Sequence, residues 1–172
     1  MNINIKSSPV YSMYWSNISP TVINNQRNVF ESMGINLHQE LADGVSHGRW
    51  MDLKISTTPD DQVIIFCDID AFPLKKEAFQ DALTFAQNGG VYGLAQTANQ
   101  LPNKNFIYAG PMFLAFSKKT WRILGEPSFR STPEHDAGQL LTMVAREQNI
   151  SVLVINPAAI NETAPYPEIQ CS

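Results

Sequence analysis

Residues 63–74 read VIIFCDIDAFPL. Val63 to Cys67 is an unbroken apolar run, rich in β-branched and aromatic side chains and too short for an ordinary helix. It therefore predicts a strand buried on both faces. Asp68 and Asp70 follow with Ile69 between them, and Pro73 closes the segment. Acids at i and i+2 on an extended chain point the same way. At one mouth of a sheet they repel each other unless a cation lies between them or one takes a proton.

The flanking sequence alternates strand and helix patterns. Asn2 to Lys6 reads as a short first strand, and Tyr11, Tyr14 and Trp15 crowd a polar loop after it. Ser19-Pro20 predicts a helix start with Ser19 as N-cap, and Gly34 a helix stop. Ile35 and Leu37 open a second strand, which makes a right-handed βαβ beginning. Ser46 is placed to cap a helix through Gly48 to Lys54 that carries Arg49. Leu74 to Asn88 has helical spacing, Val91 to Ala95 is a strand, and Gln96 to Asn105 is a polar loop. Gly110-Pro111 reads as a turn before the apolar strand Met112 to Phe116. Ser117 starts a helix through Leu124. Asp136 to Gln148 is helical with Asp136 at its start, and Val152 to Ile155 is the last strand. The expectation is one α/β domain over residues 1–156, with a mostly parallel sheet and helices on both faces, followed by a Pro-rich tail over 157–172. Ligands in such sheets sit at the carboxyl ends of the strands, where Asp68 and Asp70 fall.

The bulk numbers agree. The chain has 172 residues, 44% hydrophobic and 16% charged, which suits a packed core rather than a disordered or coiled-coil chain. A net charge of −4 argues against a protein built to hold a nucleic-acid backbone. Cys67 and Cys171 lie far apart and read as free thiols. The amino-terminal residues lack the apolar core of a signal peptide, and no run reaches membrane-spanning length, so a cytoplasmic protein is expected.

Three pieces in order carry a resemblance: Asp68-Ile69-Asp70 after its strand, the segment Tyr108 to Ser117 with Gly110 at its mouth, and His135-Asp136 opening a later helix. This arrangement resembles the GT-A type of nucleotide-sugar glycosyltransferase over roughly residues 60–145. The resemblance implies transfer of a sugar from a UDP- or GDP-sugar donor to an acceptor the sequence does not identify, with Mn²⁺ or Mg²⁺ bridging the diphosphate. It further implies Asp70 as a direct metal ligand, Asp68 on the metal or the ribose, and His135 as a further ligand. Asp136 would position or deprotonate the acceptor hydroxyl. Arg49 would neutralise phosphate or orient the donor sugar, Gly110 would let the backbone approach the sugar, and Tyr11 or Tyr14 would stack on the base.

Blander roles stand beside these. The two acids could cap a strand end and its turn. Asp136 could be a dipole-favoured helix acid. Arg49 and His135 could be solvated, and the tyrosines could be packing anchors. The apolar strand and Asp-x-Asp also resemble haloacid dehalogenase-like phosphatases. Those begin with the acids and follow the second with Gly-Thr, where this chain has Ala71-Phe72. A nucleotide-sugar-binding module without turnover is a third reading.

Overall fold

A computed structural model of the chain describes residues 8–98 and 106–157. The expected strand at Asn2 to Lys6, most of the polar loop before Phe106, Cys171 and nearly all of the Pro-rich tail lie outside those residues.

Among the described residues, six strands and five helices follow one another in the order β1 (Val10–Tyr14), α1 (Pro20–Ser32), β2 (Leu37–Leu41), α2 (His47–Thr57), β3 (Val63–Cys67), α3 (Lys76–Gln87), β4 (Val91–Thr97), β5 (Ile107–Ser117), α4 (Lys118–Ile123), α5 (Gln139–Glu147) and β6 (Val152–Ile155). The strands form one sheet in the order β2-β1-β3-β5-β4-β6. β1 pairs in parallel with β2 and β3, and β4 with β6, while β5 runs antiparallel to both of its neighbours. The sheet is thus mostly parallel, with one reversed strand beside its centre.

Two apolar layers cover the sheet. Trp50, Met51 and Ile55 of α2 pack with Leu141 and Ala145 of α5 against Ile64, Phe66, Leu114 and Phe116. On the other face Phe30 of α1 and Phe79, Leu83 and Ala86 of α3 pack against Val10, Ile65, Cys67 and Ala115. β3 contributes to both layers and all five of its residues are buried, which is why its sequence is continuously apolar.

Local chemistry sets several boundaries. The Ser19 hydroxyl accepts from Thr21 N, Pro20 opens α1, and Gly34 closes it at φ +67°. The Gly34 and Ile35 amides donate back to Glu31 O and Phe30 O, a Schellman arrangement. Ser117 caps α4 by accepting from Thr120 N.

Three expectations need correction. Tyr11 and Tyr14 are not in a loop. They belong to β1, a strand between β2 and β3, and the polar look of the segment comes from Ser12, which is fully buried. Gly110-Pro111 is not a turn before a strand but lies within β5. There the pairing with β4 slips from Gly93 opposite Leu114 to Leu94 opposite Gly110, so residues 111–113 bulge. Pro111 is tolerated because it falls inside that bulge: Met112 O faces β3, where it accepts from Asp68 N, so Pro111 faces β4 where the ladder is interrupted and no N–H is needed. Finally, α5 begins at Gln139, so Asp136 precedes the helix instead of opening it.

Candidate functional site

The strand order reverses between β1 and β3. From β1 the chain crosses by α1 on one face to β2, then returns by α2 on the other face to β3. Such a switch point opens a crevice at the carboxyl ends of the two strands, where α/β sheets bind ligands. Asp68 and Asp70 leave β3 there.

The turn that carries them is held from beneath. Gln26 of α1 is 1% exposed, and its amide nitrogen donates to Asp68 O at 2.7 Å and Ala71 O at 2.9 Å. Its amide oxygen accepts from Gln39 Nε2 at 2.9 Å, which also donates to Ile23 O. Ala71 N closes the turn onto Asp68 O. A buried amide bonded at both ends fixes the backbone that presents both acids.

The Asp68 carboxylate is half-buried, with His47 Nε2 of α2 at 3.5 Å from its Oδ1. Burial pushes its acidity to higher pH than usual, the His47 charge opposes that, and the neighbouring Asp70 adds to it. A carboxylate held up by burial and a like charge is suited to a cation, which would relieve both.

Asp136 lies across the same edge. Its Oδ2 accepts from the Tyr108 hydroxyl at 2.7 Å and its Oδ1 from Ala137 N at 2.8 Å. Gln139 Oε1 accepts from Asp136 N, and Gln139 N donates to Asp136 O, which locks the turn before α5. Gly138 sits in that turn at φ +78°, seated against Phe129, Pro111 and Leu114. Tyr108 is fully buried in β5. Burial raises its hydroxyl far above the usual tyrosine range, with Asp136 and, more weakly, Asp68 pushing the same way. Because β5 runs antiparallel to β3, Tyr108 near its start and the Asp136 carboxylate it holds lie at the carboxyl end of β3, where Asp68 leaves the sheet.

Other candidates are placed differently. Among the described residues no three His, Cys, Asp or Glu side chains group to hold a metal, so His135 does not join Asp68 and Asp70. Its ring lies by Thr132, whose N–H donates to His135 O and whose hydroxyl accepts from His135 N. Mg²⁺ and Mn²⁺ nevertheless suit a pair of carboxylates when substrate phosphates and water complete the shell. Tyr11 faces the α2 layer, with its ring 5.6 Å from His38 and 6.4 Å from Phe66 and Lys54 above it. Tyr14 ends β1 nearer the mouth, and Trp15 beyond it is exposed, its indole N–H donating to Val45 O. Gly110 is buried against Gln96, where a Cβ would stand 2.2 Å from Gln96 Oε1. Arg49 lies in the first turn of α2, beside His47.

Three residues of this edge have no distinctive sequence signal. Gln26 is one amide among the polar residues of α1, His47 follows an ordinary cap, and Tyr108 is one aromatic in an apolar strand. Their roles come from partners far along the chain: Asp68 for Gln26 and His47, and Asp136 for Tyr108.

No family model matches the chain, and no curated protein sequence does. Solved structures match its fold. A proposed nucleotide-diphospho-sugar transferase from Desulfovibrio desulfuricans G20 has a TM-score of 0.55 over 88% of this chain and 80% of that one, at 13% identity. A glycosyltransferase involved in the glycosylation of the major capsid of PBCV-1 has a TM-score of 0.50 over 89% and 84%, at 10% identity. This chain has the fold of nucleotide-diphospho-sugar transferases and GT-A glycosyltransferases. No helix among the described residues is long and apolar enough to cross a membrane.

Proposed function

We propose that this protein is a metal-dependent glycosyltransferase that moves a sugar from a nucleoside-diphosphate donor, a UDP- or GDP-sugar, to an acceptor hydroxyl. The observation that carries the reading is the Asp68-x-Asp70 turn at the β1/β3 switch point, pinned by Gln26, with Asp136 facing the same edge.

Asp68 and Asp70 would hold Mn²⁺ or Mg²⁺, with the donor phosphates completing the shell. The bound cation supplies charge neutralisation at the departing diphosphate. His47 orients the Asp68 carboxylate, and Gln26 fixes the backbone of the turn. Tyr14, at the end of β1, is the tyrosine at the mouth where the nucleoside would lie. The acceptor oxygen forms a bond to the anomeric carbon, and the bond from that carbon to the diphosphate oxygen breaks, leaving its electron pair on the diphosphate. Asp136 takes the hydroxyl proton. Tyr108 donates to Asp136 Oδ2 and Ala137 N to Oδ1, which aims the carboxylate and leaves lone pairs for the acceptor.

A thermal-shift screen of UDP-, GDP- and CMP-sugars with and without Mn²⁺ tests this. A donor at a hundred times its dissociation constant adds about 2.7 kcal/mol. In a chain of this size that raises the melting midpoint by roughly 5–10 °C. The rise should need Mn²⁺ and disappear when Asp68 and Asp70 are both changed to Ala. If no nucleotide shifts the midpoint in the presence of metal, the reading fails. Mn²⁺-dependent binding without sugar hydrolysis or transfer would leave a binding module.

A further inference from the structure

A second concave feature opens beside this edge. Between the first turn of α2 and residues 130–137 lies a cleft of about 280 Å³, walled by Ser46, His47, Arg49, Arg130, Ser131 and Ala137. That approaches the lower end of small-molecule sites, about 300 Å³. Neither Asp68 nor Asp70 lines it, and no carboxylate among the described residues does.

Its charge is one-signed and partly uncompensated. Arg122 pairs with Asp60 and Glu126, Lys54 with Glu40, and Lys118 with Asp60. Arg49 makes no hydrogen bond or ion pair among the described residues. Arg130 is steadied by Asp52, 3.3 Å from its Nε, and Asp52 also accepts from Phe129 N and the Ser128 hydroxyl. That clamp holds the cleft's outer wall in place. The inner wall depends on Gly48, because a Cβ there would stand 2.1 Å from Phe129 O. Only glycine lets α2 come this close to the Arg130 backbone. The first turn of α2 carries no acid, and the Ser46 side chain makes no capping bond, so its amides add to the positive field of the two guanidinium groups. Paired guanidinium groups in a cleft recognise carboxylates and phosphates.

Location says which anion. His47 belongs to both the cleft and the Asp68 contact, and Ala137 directly follows Asp136. The cleft therefore borders the side from which an acceptor hydroxyl would reach Asp136. We propose that it takes the negative group of the acceptor, a carboxylate or a phosphate carried on a sugar, and so selects an anionic glycan. The assignment to the acceptor rests on the function proposed above, whereas the anion site itself does not.

Calorimetric titration of the full chain at low salt with glucuronate, glucose 6-phosphate and glucose tests the proposal. At least one acidic sugar should bind about ten-fold or more tightly than glucose, the scale of one charge-assisted contact. A preference between the two acids names the group. Arg49→Gln should weaken that binding about ten-fold while Mn²⁺-dependent UDP binding changes less than about two-fold, which sets the acceptor role proposed here against the donor role that the family resemblance implies for Arg49, and Arg49→Lys should restore part of it. Equal binding of the three sugars overturns the proposal, and so does an Arg49→Gln variant that binds the acids as the wild type does. Equal loss of UDP and acid binding also overturns it, since the cleft would then serve the donor. If the acids bind through Arg49 but no nucleotide binds with Mn²⁺, the anion site stands and the transferase reading falls.

Discussion

Replacing Gln26 by Leu probes the clamp beneath the acidic turn. The side chain is fully inside, and leucine has a similar volume, so the change isolates polarity from packing. Four hydrogen bonds vanish: those to Asp68 O and Ala71 O, a weaker one to the Cys67 sulfur, and the one received from Gln39. Each N–H···O bond is worth about 1 kcal/mol net. Orphaning is limited, because Asp68 O keeps Ala71 N, Ala71 O keeps the Cys67 thiol and Gln39 keeps Ile23 O. Leucine also gains some apolar burial. A loss of about 2–3 kcal/mol follows, or roughly 5–10 °C in the melting midpoint. Gln26→Glu should be worse, since a carboxylate would face two carbonyl oxygens it cannot donate to. The binding effect separates positioning from plain stability. With the turn loosened, Mn²⁺-dependent UDP affinity should fall about ten-fold at temperatures where the variant is still folded, or 1.4 kcal/mol of lost pre-organisation. Circular dichroism melts and calorimetry read both quantities. A Gln26→Leu midpoint within about 2 °C of wild type, with unchanged nucleotide affinity, would show that Gln26 does not hold the turn.

Two further outcomes follow from the same geometry. Burial and Asp70 hold the Asp68 acidity above its usual 3.8, so the native state binds that proton more tightly than the unfolded chain does. The metal-free protein should therefore lose stability as pH rises from 3.8 through the native value, and Asp68→Asn should raise its melting midpoint at pH 7 but not below 3.8. A metal-free Asp68→Asn variant that melts lower than wild type at pH 7 contradicts this, and the gain should reverse when Mn²⁺ and UDP are added. Gly48→Ala drives a methyl group into Phe129 O, and a backbone atom cannot move aside as a side-chain tip can. A destabilisation of about 3 kcal/mol is expected from denaturant melts, and a change under about 1 kcal/mol would mean that α2 and residues 129–130 are not in contact there.

Much of this molecule is legible locally. The β3 run, its two acids, the Ser19-Pro20 start and the Gly34 stop of α1 depend on residues adjacent in the chain. Such signals survive without knowledge of the fold, because periodicity, capping and left-handed turns are short-range physics. The three-layer α/β class follows from their alternation, and so does the placing of Asp68 and Asp70 at a strand's carboxyl end. Pairing direction is not local. β5 runs against its neighbours, and Pro111 survives inside it because its pairing with β4 slips there. β1 hides behind a serine that looks exposed until two strands enclose it.

The partners of the acids belong to the same non-local category. His135 neighbours Asp136 in sequence, yet the histidine that reaches Asp68 is His47, because α2 starts at the carboxyl edge of the sheet, where Asp68 leaves β3. Asp136 looked like a helix-opening acid, but its carboxylate is held by Tyr108, 28 residues away, after the turn at Gly138 delays the helix by three residues. The sequence alone offered candidate side chains and placed two of them, Asp68 and Asp70, at the carboxyl end of a buried strand. The tertiary structure decided which of them meet, because contacts between side chains far apart in the chain are set by sheet order and crossover face, and no local pattern encodes either.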